Sequence, residues 1–216
     1  MLAVHCRVLA GDLPGKWHAT ITPIVGLPHS TVPLTPVFLL PGWQNSGPSH
    51  WQSRWQQQHS FVRVEQDDWW WPRRGDWMVR LEDTLLACTQ PAVLVAHSLG
   101  CHLVAAWAQH TQQQHRVAAA LLVAPPDLGH VDMPPQVHNW APVVAQVLPF
   151  PTTAVISSDD PYCSAQRGQQ MAAAWGSHLH TVAAAGHLNG DSGLDDWPAG
   201  LALLQALMQR AGVAKA

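Results

Sequence analysis

From Pro36 onward, short apolar runs alternate with longer amphipathic stretches. PVFLLPG (36–42) reads as a buried strand closed by a Pro-Gly turn, and SHWQSRWQQQ (49–58) as a helix that Ser49 is placed to cap. FVRVEQ (61–66) is a second strand, and in WMVRLEDTLLAC (77–88) the residues Met78, Leu81, Leu85 and Leu86 share one face at helical spacing. The strand AVLVAH (92–97) runs into LGCHLVAAWAQH (99–110), rich in the strong helix formers alanine and leucine. Strands AALLVAP (119–125), TTAVISS (152–158) and a weaker HLHTVAA (178–184) follow, with helices over 164–175 and 197–210.

Continuously apolar strands separated by helices are what a parallel sheet covered on both faces requires, because neither strand face then meets water. The predicted fold class is therefore α/β, a mostly parallel doubly wound sheet with helices on both faces, in one domain over 34–216. Residues 1–33 carry Pro14, Pro23, Pro28 and Pro33 without a sustained period, which predicts an irregular N-terminal arm. Between Pro125 and Pro151 no element is clear, and the stretch is too short for a large cap domain, so an open approach to the sheet edge is expected.

Composition narrows the function more than the fold. The 216 residues are 47% hydrophobic, enough for one sizeable core. Only 12% are charged and the formal net charge is −3, which provides no footprint for nucleic acid or an anionic membrane and points to a small neutral or polar partner. No stretch approaches the roughly 20 apolar residues that span a bilayer. The four cysteines, Cys6, Cys88, Cys101 and Cys163, are far apart and form no CxxC pair, as expected of reduced thiols in a cytoplasmic protein. There are 14 histidines but no HExxH, and His97 and His102 miss the i, i+4 spacing of a helical ligand pair. No metal site is assigned, and most histidines are expected at the surface or at helix caps. The 12 tryptophans fall mainly at Trp43, Trp51, Trp55, Trp69 to Trp71 and Trp77, where they either pack the core or line a cleft.

The sharpest chemical signal is Ala96-His97-Ser98-Leu99-Gly100, at the point where a buried strand meets an alanine-rich helix. Such a turn is a nucleophile elbow, which lifts a serine hydroxyl above the carboxyl edge of the sheet and needs small neighbours. The bland alternative for the pentapeptide alone, the lesser of the two, is a serine that caps the next helix. A serine attacks only when a base takes its proton, and the base needs an acceptor that fixes its tautomer. TTAVISS runs into Asp159-Asp160-Pro161, and HLHTVAA runs into Ala185-Gly186-His187, so an acid and a histidine follow at later strand ends in the order Ser, Asp, His. Asp160 is preferred to Asp159 because Pro161 fixes the turn immediately after it. The amides of Leu99 and Trp43 are the candidate oxyanion donors, with Gly42 letting the backbone approach substrate. This machinery needs no metal or organic cofactor.

These residues sit in blocks that resemble the retinoblastoma-binding protein 9 and YdeN type of small α/β-hydrolases. The blocks are LPGWQNSGPSHWQSRW (40–55), AHSLGC (96–101), VAPPD (123–127), SSDDPYCS (157–164) and GHLNGDSG (186–193), within a likeness running from about Val37 to Leu207. The resemblance implies the α/β-hydrolase fold, a triad of Ser98, Asp160 and His187, and hydrolysis of esters or amides. Two departures stand out: the arm before residue 34 has no counterpart, and Ala96 stands where glycine is common.

The leading expectation is acyl transfer to water, with small acyl esters as substrates first and a peptidase or amidase second. The segment 125–151, with Pro125, Pro126, Met133 and Trp140, is expected to wall the acyl site. A rival from another class is a protein-contact module that keeps the hydrolase fold and binds through the tryptophans from Trp69 to Trp77. A metal hydrolase drawing on the histidines ranks last.

Overall fold

The computed structural model describes residues 35–130 and 132–213. The predicted arm over 1–33 lies outside the described residues. Six strands, β1 (Val37–Leu40), β2 (Val62–Arg63), β3 (Ala92–His97), β4 (Val117–Val123), β5 (Thr152–Ser157) and β6 (His178–Val182), form one sheet in the order β2-β1-β3-β4-β5-β6, and every neighbouring pair is parallel. The helices are α1 (Trp51–Gln58), α2 (Arg74–Leu86), α3 (Leu99–His110), α4 (Ala165–Ala174) and α5 (Pro198–Arg210).

Each inner strand feeds two cores. Leu39, Val93, Val95 and Leu121 pack against Trp51 and Trp55 of α1 and Leu204 and Leu207 of α5. Their neighbours Phe38, Leu40, Leu94 and Leu122 face the other way, onto Leu81 and Leu85 of α2, Leu103 and Trp107 of α3 and Met171 of α4. Because both faces are dry, the strands read as unbroken apolar runs.

The element boundaries differ from expectation where tertiary contacts decide. β2 pairs over two residues rather than six, because Phe61 and Val64 turn inward as core residues while Val62 stays exposed on the sheet edge. α2 begins at Arg74, three residues before its first core tryptophan, with Asp76 in the first turn where the helix dipole favours an acid. The cap of α1 is His50, not Ser49: its Nδ1 accepts the Gln52 N–H at 3.1 Å. The segment between β4 and β5 holds one 3₁₀ stretch, Pro135–Trp140. The histidines are also more buried than expected, with His97 5% and His102 3% exposed.

The topology locates the site. The chain leaves β1 toward β2 and leaves β3 toward β4, so the connections from these adjacent strands diverge and open a crevice beyond their carboxyl ends. Gln52 of α1 ties together the two strands that flank that crevice. It is 0% exposed; its amide donates to Val95 O at 3.0 Å and Leu40 O at 3.3 Å, and its Oε1 accepts the Ser46 hydroxyl at 2.8 Å.

Candidate active site

Ser98 stands between the last residue of β3 and the first of α3 with φ 54° and ψ −123°, a backbone conformation that non-glycine residues rarely adopt and that costs on the order of 1–3 kcal/mol. Its N–H donates to Val123 O and its carbonyl accepts the Cys101 N–H, both at 2.9 Å, so β4 and α3 together impose the bend. Small neighbours are demanded by the close approach of β1. A Cβ on Gly100 would lie 2.3 Å from Leu40 O, and one on Gly42 would lie 2.6 Å from Ser98 Cβ. Ala96 meets the same demand from inside the sheet, fully buried between Leu40 and Leu122.

The structure brings the three predicted groups together. The Ser98 hydroxyl lies 2.9 Å from His187 Nε2, and His187 Nδ1 lies 3.0 and 2.9 Å from the two oxygens of Asp160. A carboxylate can only accept, so Nδ1 carries the proton and the Nε2 lone pair faces the serine. The Asp160 side chain is almost fully buried, which strengthens this contact. Asp159 has different work: it accepts the Gly186 N–H at 2.8 Å and the Ser157 hydroxyl at 2.7 Å, and Ser157 Oγ in turn accepts the Ala185 N–H. Those hydrogen bonds hold its carboxyl below the ordinary carboxylate range. One acid therefore meets the imidazole and its neighbour fastens the loop that carries it.

Further ties to that loop come from residues with no role assigned in the sequence. The His97 Nε2–H donates to the His187 carbonyl at 3.0 Å, and the Trp51 indole N–H donates to Leu188 O at 2.8 Å. His50 lies edge-on to His97, with ring centroids 4.6 Å apart, and the His97 ring meets the His187 ring at 5.0 Å. Burial keeps His97 well below its ordinary pKa; burial, reinforced by Arg63 and His187, lowers His50 to about 3. Both are neutral neighbours of His187 at any ordinary pH. The signal for His97 was its place inside a wholly apolar strand; for Gln52 it was a polar residue between two inward tryptophans, Trp51 and Trp55.

Among the described residues, the N–H groups of Trp43 and Leu99 have no protein acceptor, and both residues border the cavity at Ser98. Trp43 is held by its indole N–H, which donates to Trp70 O at 3.0 Å. The cavity measures about 330 Å³ and is open to solvent above Ser98 and His187. Gly42, Pro126 and Met133 line it, but Trp140 and Pro125 do not. Trp140 is 1% exposed, donates its indole N–H to Pro72 O and packs against Trp77, so it supports the wall from behind instead of touching the cavity. His102 fastens that wall to α3, its Nε2–H donating to Pro126 O at 2.8 Å. Rival nucleophiles are muted: burial raises the Cys101 thiol and, with Asp160 and Asp127, pushes Cys163 up to about 12. Among the described residues no three metal-ligating side chains converge.

A family model described as serine hydrolase matches residues 37–206. The chain belongs to the serine hydrolase family. This serine hydrolase is similar to a YdeN-like hydrolase from Pectobacterium atrosepticum, 30% identical over 82% of this chain and 92% of the other, with a TM-score of 0.73. The ydeN product of Bacillus subtilis is 18% identical over 81% of this chain and 99% of its own, with a TM-score of 0.64. The esterase RhEst1 from Rhodococcus, 14% identical over 83% and 92%, has a TM-score of 0.62. The serine hydrolase thus has the α/β-hydrolase fold and is of the YdeN type. No match is found among curated proteins.

Proposed function

We propose that this chain is an esterase working through an acyl-enzyme at Ser98. The observation that carries the reading is the strained Ser98 with its hydroxyl 2.9 Å from His187 Nε2, the imidazole being held from behind by Asp160. In this reading Ser98 Oγ attacks the ester carbonyl while His187 takes its proton, and the Leu99 and Trp43 amides receive the oxyanion. His187 then returns the proton to the departing alkoxide, and a water repeats the sequence to release the acid. An ester is favoured over an amide because an alkoxide departs more readily than an amide nitrogen, and because no charged side chain lines the cavity to grip a peptide's charged groups. The unpaired thiols Cys88, Cys101 and Cys163 support a cytoplasmic place of work. Kinship with retinoblastoma-binding protein 9 is inferred from the shared 40–55 and 186–193 blocks.

Labelling with a fluorophosphonate probe tests the reading. Folded wild type should label strongly, and Ser98→Ala and His187→Ala should lower labelling by about 10³-fold or more. No labelling of folded wild type would overturn it. The outcome would then favour a protein-contact role, for which the specific observation is the pair Trp70 and Trp71, each 62% exposed, while Trp69 and Trp77 of the same run pack inward.

A further inference from the structure

We propose that the cavity at Ser98 selects neutral esters that join a compact apolar acyl group to a hydroxyl-bearing alcohol, with the acyl group on the β4 side of Ser98 and the alcohol on the β1 side. This rests on the esterase reading above and specifies its substrate class.

Ser98 follows β3, which lies between β1 and β4 in the sheet, so the loops after β1 and after β4 rise on either side of it. The two walls differ in kind. On the β4 side Pro126, Leu128, Met133 and Val137 present no side-chain hydrogen-bonding group, and the one hydroxyl there belongs to Tyr162, whose ring lies against His187 at a centroid distance of 4.7 Å. On the β1 side Gln44, Asn45 and Ser49 are joined by Asn189, because the loop after His187 packs there: a Cβ on Gly190 would lie 2.9 Å from Ser49 Oγ.

The chemistry decides which half of the ester each wall receives. His187 must return its proton to the leaving oxygen, so the alcohol has to lie beside His187. The chain that continues from His187, through Asn189 and Gly190, belongs to the polar wall. The acyl group is left to the apolar wall, where burying its carbons is favourable.

A hydroxylated alcohol is called for because the polar wall has hydrogen-bonding capacity the protein does not use. Among the described residues the side chains of Gln44 and Ser49 make no hydrogen bond. Asn45 and Asn189, which line the cavity, commit their carbonyl oxygens to Arg63 and Ser46, and to Asp191 and Ser192, while among the described residues their amide N–H groups have no protein acceptor. An alkyl alcohol would displace water from these groups and return nothing. Neutrality follows from the lining, which holds no Asp, Glu, Lys or Arg, and whose His50 is kept uncharged by burial. Size follows from the volume: about 330 Å³ lies at the small end of the roughly 300–1,000 Å³ of small-molecule sites, which suits a compact ester.

The test compares kcat/KM for glycerol 1-butyrate, n-propyl butyrate, the butyrate ester of choline and the butyrate ester of glycolate, with fluorophosphonate labelling run alongside. The glycerol ester should exceed the propyl ester by about tenfold and should also exceed both charged esters. Gln44→Leu with Ser49→Ala should shrink the glycerol-to-propyl preference, whereas Met133→Asn should slow both and keep their ratio. Labelling with equal or reversed rates for the glycerol and propyl esters, or with no ester turned over, overturns this inference and leaves the activated serine standing. Absence of labelling overturns the esterase reading itself.

Discussion

His97 ends β3 one residue before the strained serine, and its ring reaches across to the loop of a strand three places away in the sheet. Only the Nε2–H can serve the His187 carbonyl, so His97 acts as a positioning residue that ties base to nucleophile through the backbone. A misplacement of about 1 Å can cost on the order of a hundredfold in rate. We therefore expect His97→Phe, which fills the space and lacks the donor, to lower kcat by roughly 10- to 100-fold with KM little changed. His97→Gln retains an N–H and should recover much of that loss. Equal losses in the two variants, or a loss confined to KM, would show that the carbonyl contact does not matter. The neighbouring acids divide in the same way: Asp160 meets the imidazole directly, while Asp159 acts through the backbone of Ala185 and Gly186.

Among the elements, α1 does more than cover one face of the sheet. Its second residue, Gln52, satisfies the carbonyls of Leu40 and Val95 on adjacent strands and the hydroxyl of Ser46, in a place water cannot reach. Gln52→Leu would keep the bulk and leave those groups unpaired. At about 1–3 kcal/mol for a buried group left unmet, with partial relaxation, the loss should be about 2–4 kcal/mol, or roughly 5–15 °C in Tm. A thermal melt showing less than about 1 kcal/mol would mean the strand ends find other partners. This residue also marks where the sequence stopped being legible. β3 and α3 matched their predicted limits because an unbroken apolar strand and an alanine-rich helix are decided by local pattern. Ser98, Asp160 and His187 were legible for a related reason, each standing at a strand end where chain order alone brings it to one edge. Gln52, His50 and His97 matter through partners 12 to 90 residues away or through rings that meet edge-on across loops, and nothing in their own neighbourhoods names those partners. Trp140 misled for the mirror reason: its place in the right segment could not reveal that its ring turns back toward Pro72 and Trp77.

Across the whole molecule, three buried histidines set how the fold responds to acid. Burial holds His97 well below its ordinary pKa, lowers His102 to about 4, and together with Arg63 and His187 lowers His50 to about 3. In the unfolded chain each returns to about 6.5, so between that value and the folded pKa the unfolded state binds more protons. Their contribution is therefore fully present above about pH 6.5 and is lost as pH falls, His50 and His102 each costing on the order of 2 kcal/mol at pH 5 and His97 acting in the same direction. Depressed carboxylates such as Asp159 act in the same direction but in a lower window, below the ordinary Asp value of 3.8, so the two groups separate on a pH axis. Against a typical total of about 5–15 kcal/mol, three such histidines would make the protein markedly weaker at pH 5 than at pH 7.5. His102 lies on α3 away from the serine and permits a clean test. His102→Gln can keep the hydrogen bond to Pro126 O without a group that titrates near neutrality. Urea unfolding of wild type should show a fall in stability from pH 7.5 to pH 5, and in His102→Gln that fall should shrink by about 2 kcal/mol. An unchanged difference in the variant would mean that His102 is protonated in the folded protein at pH 5, and that its burial does not govern its charge.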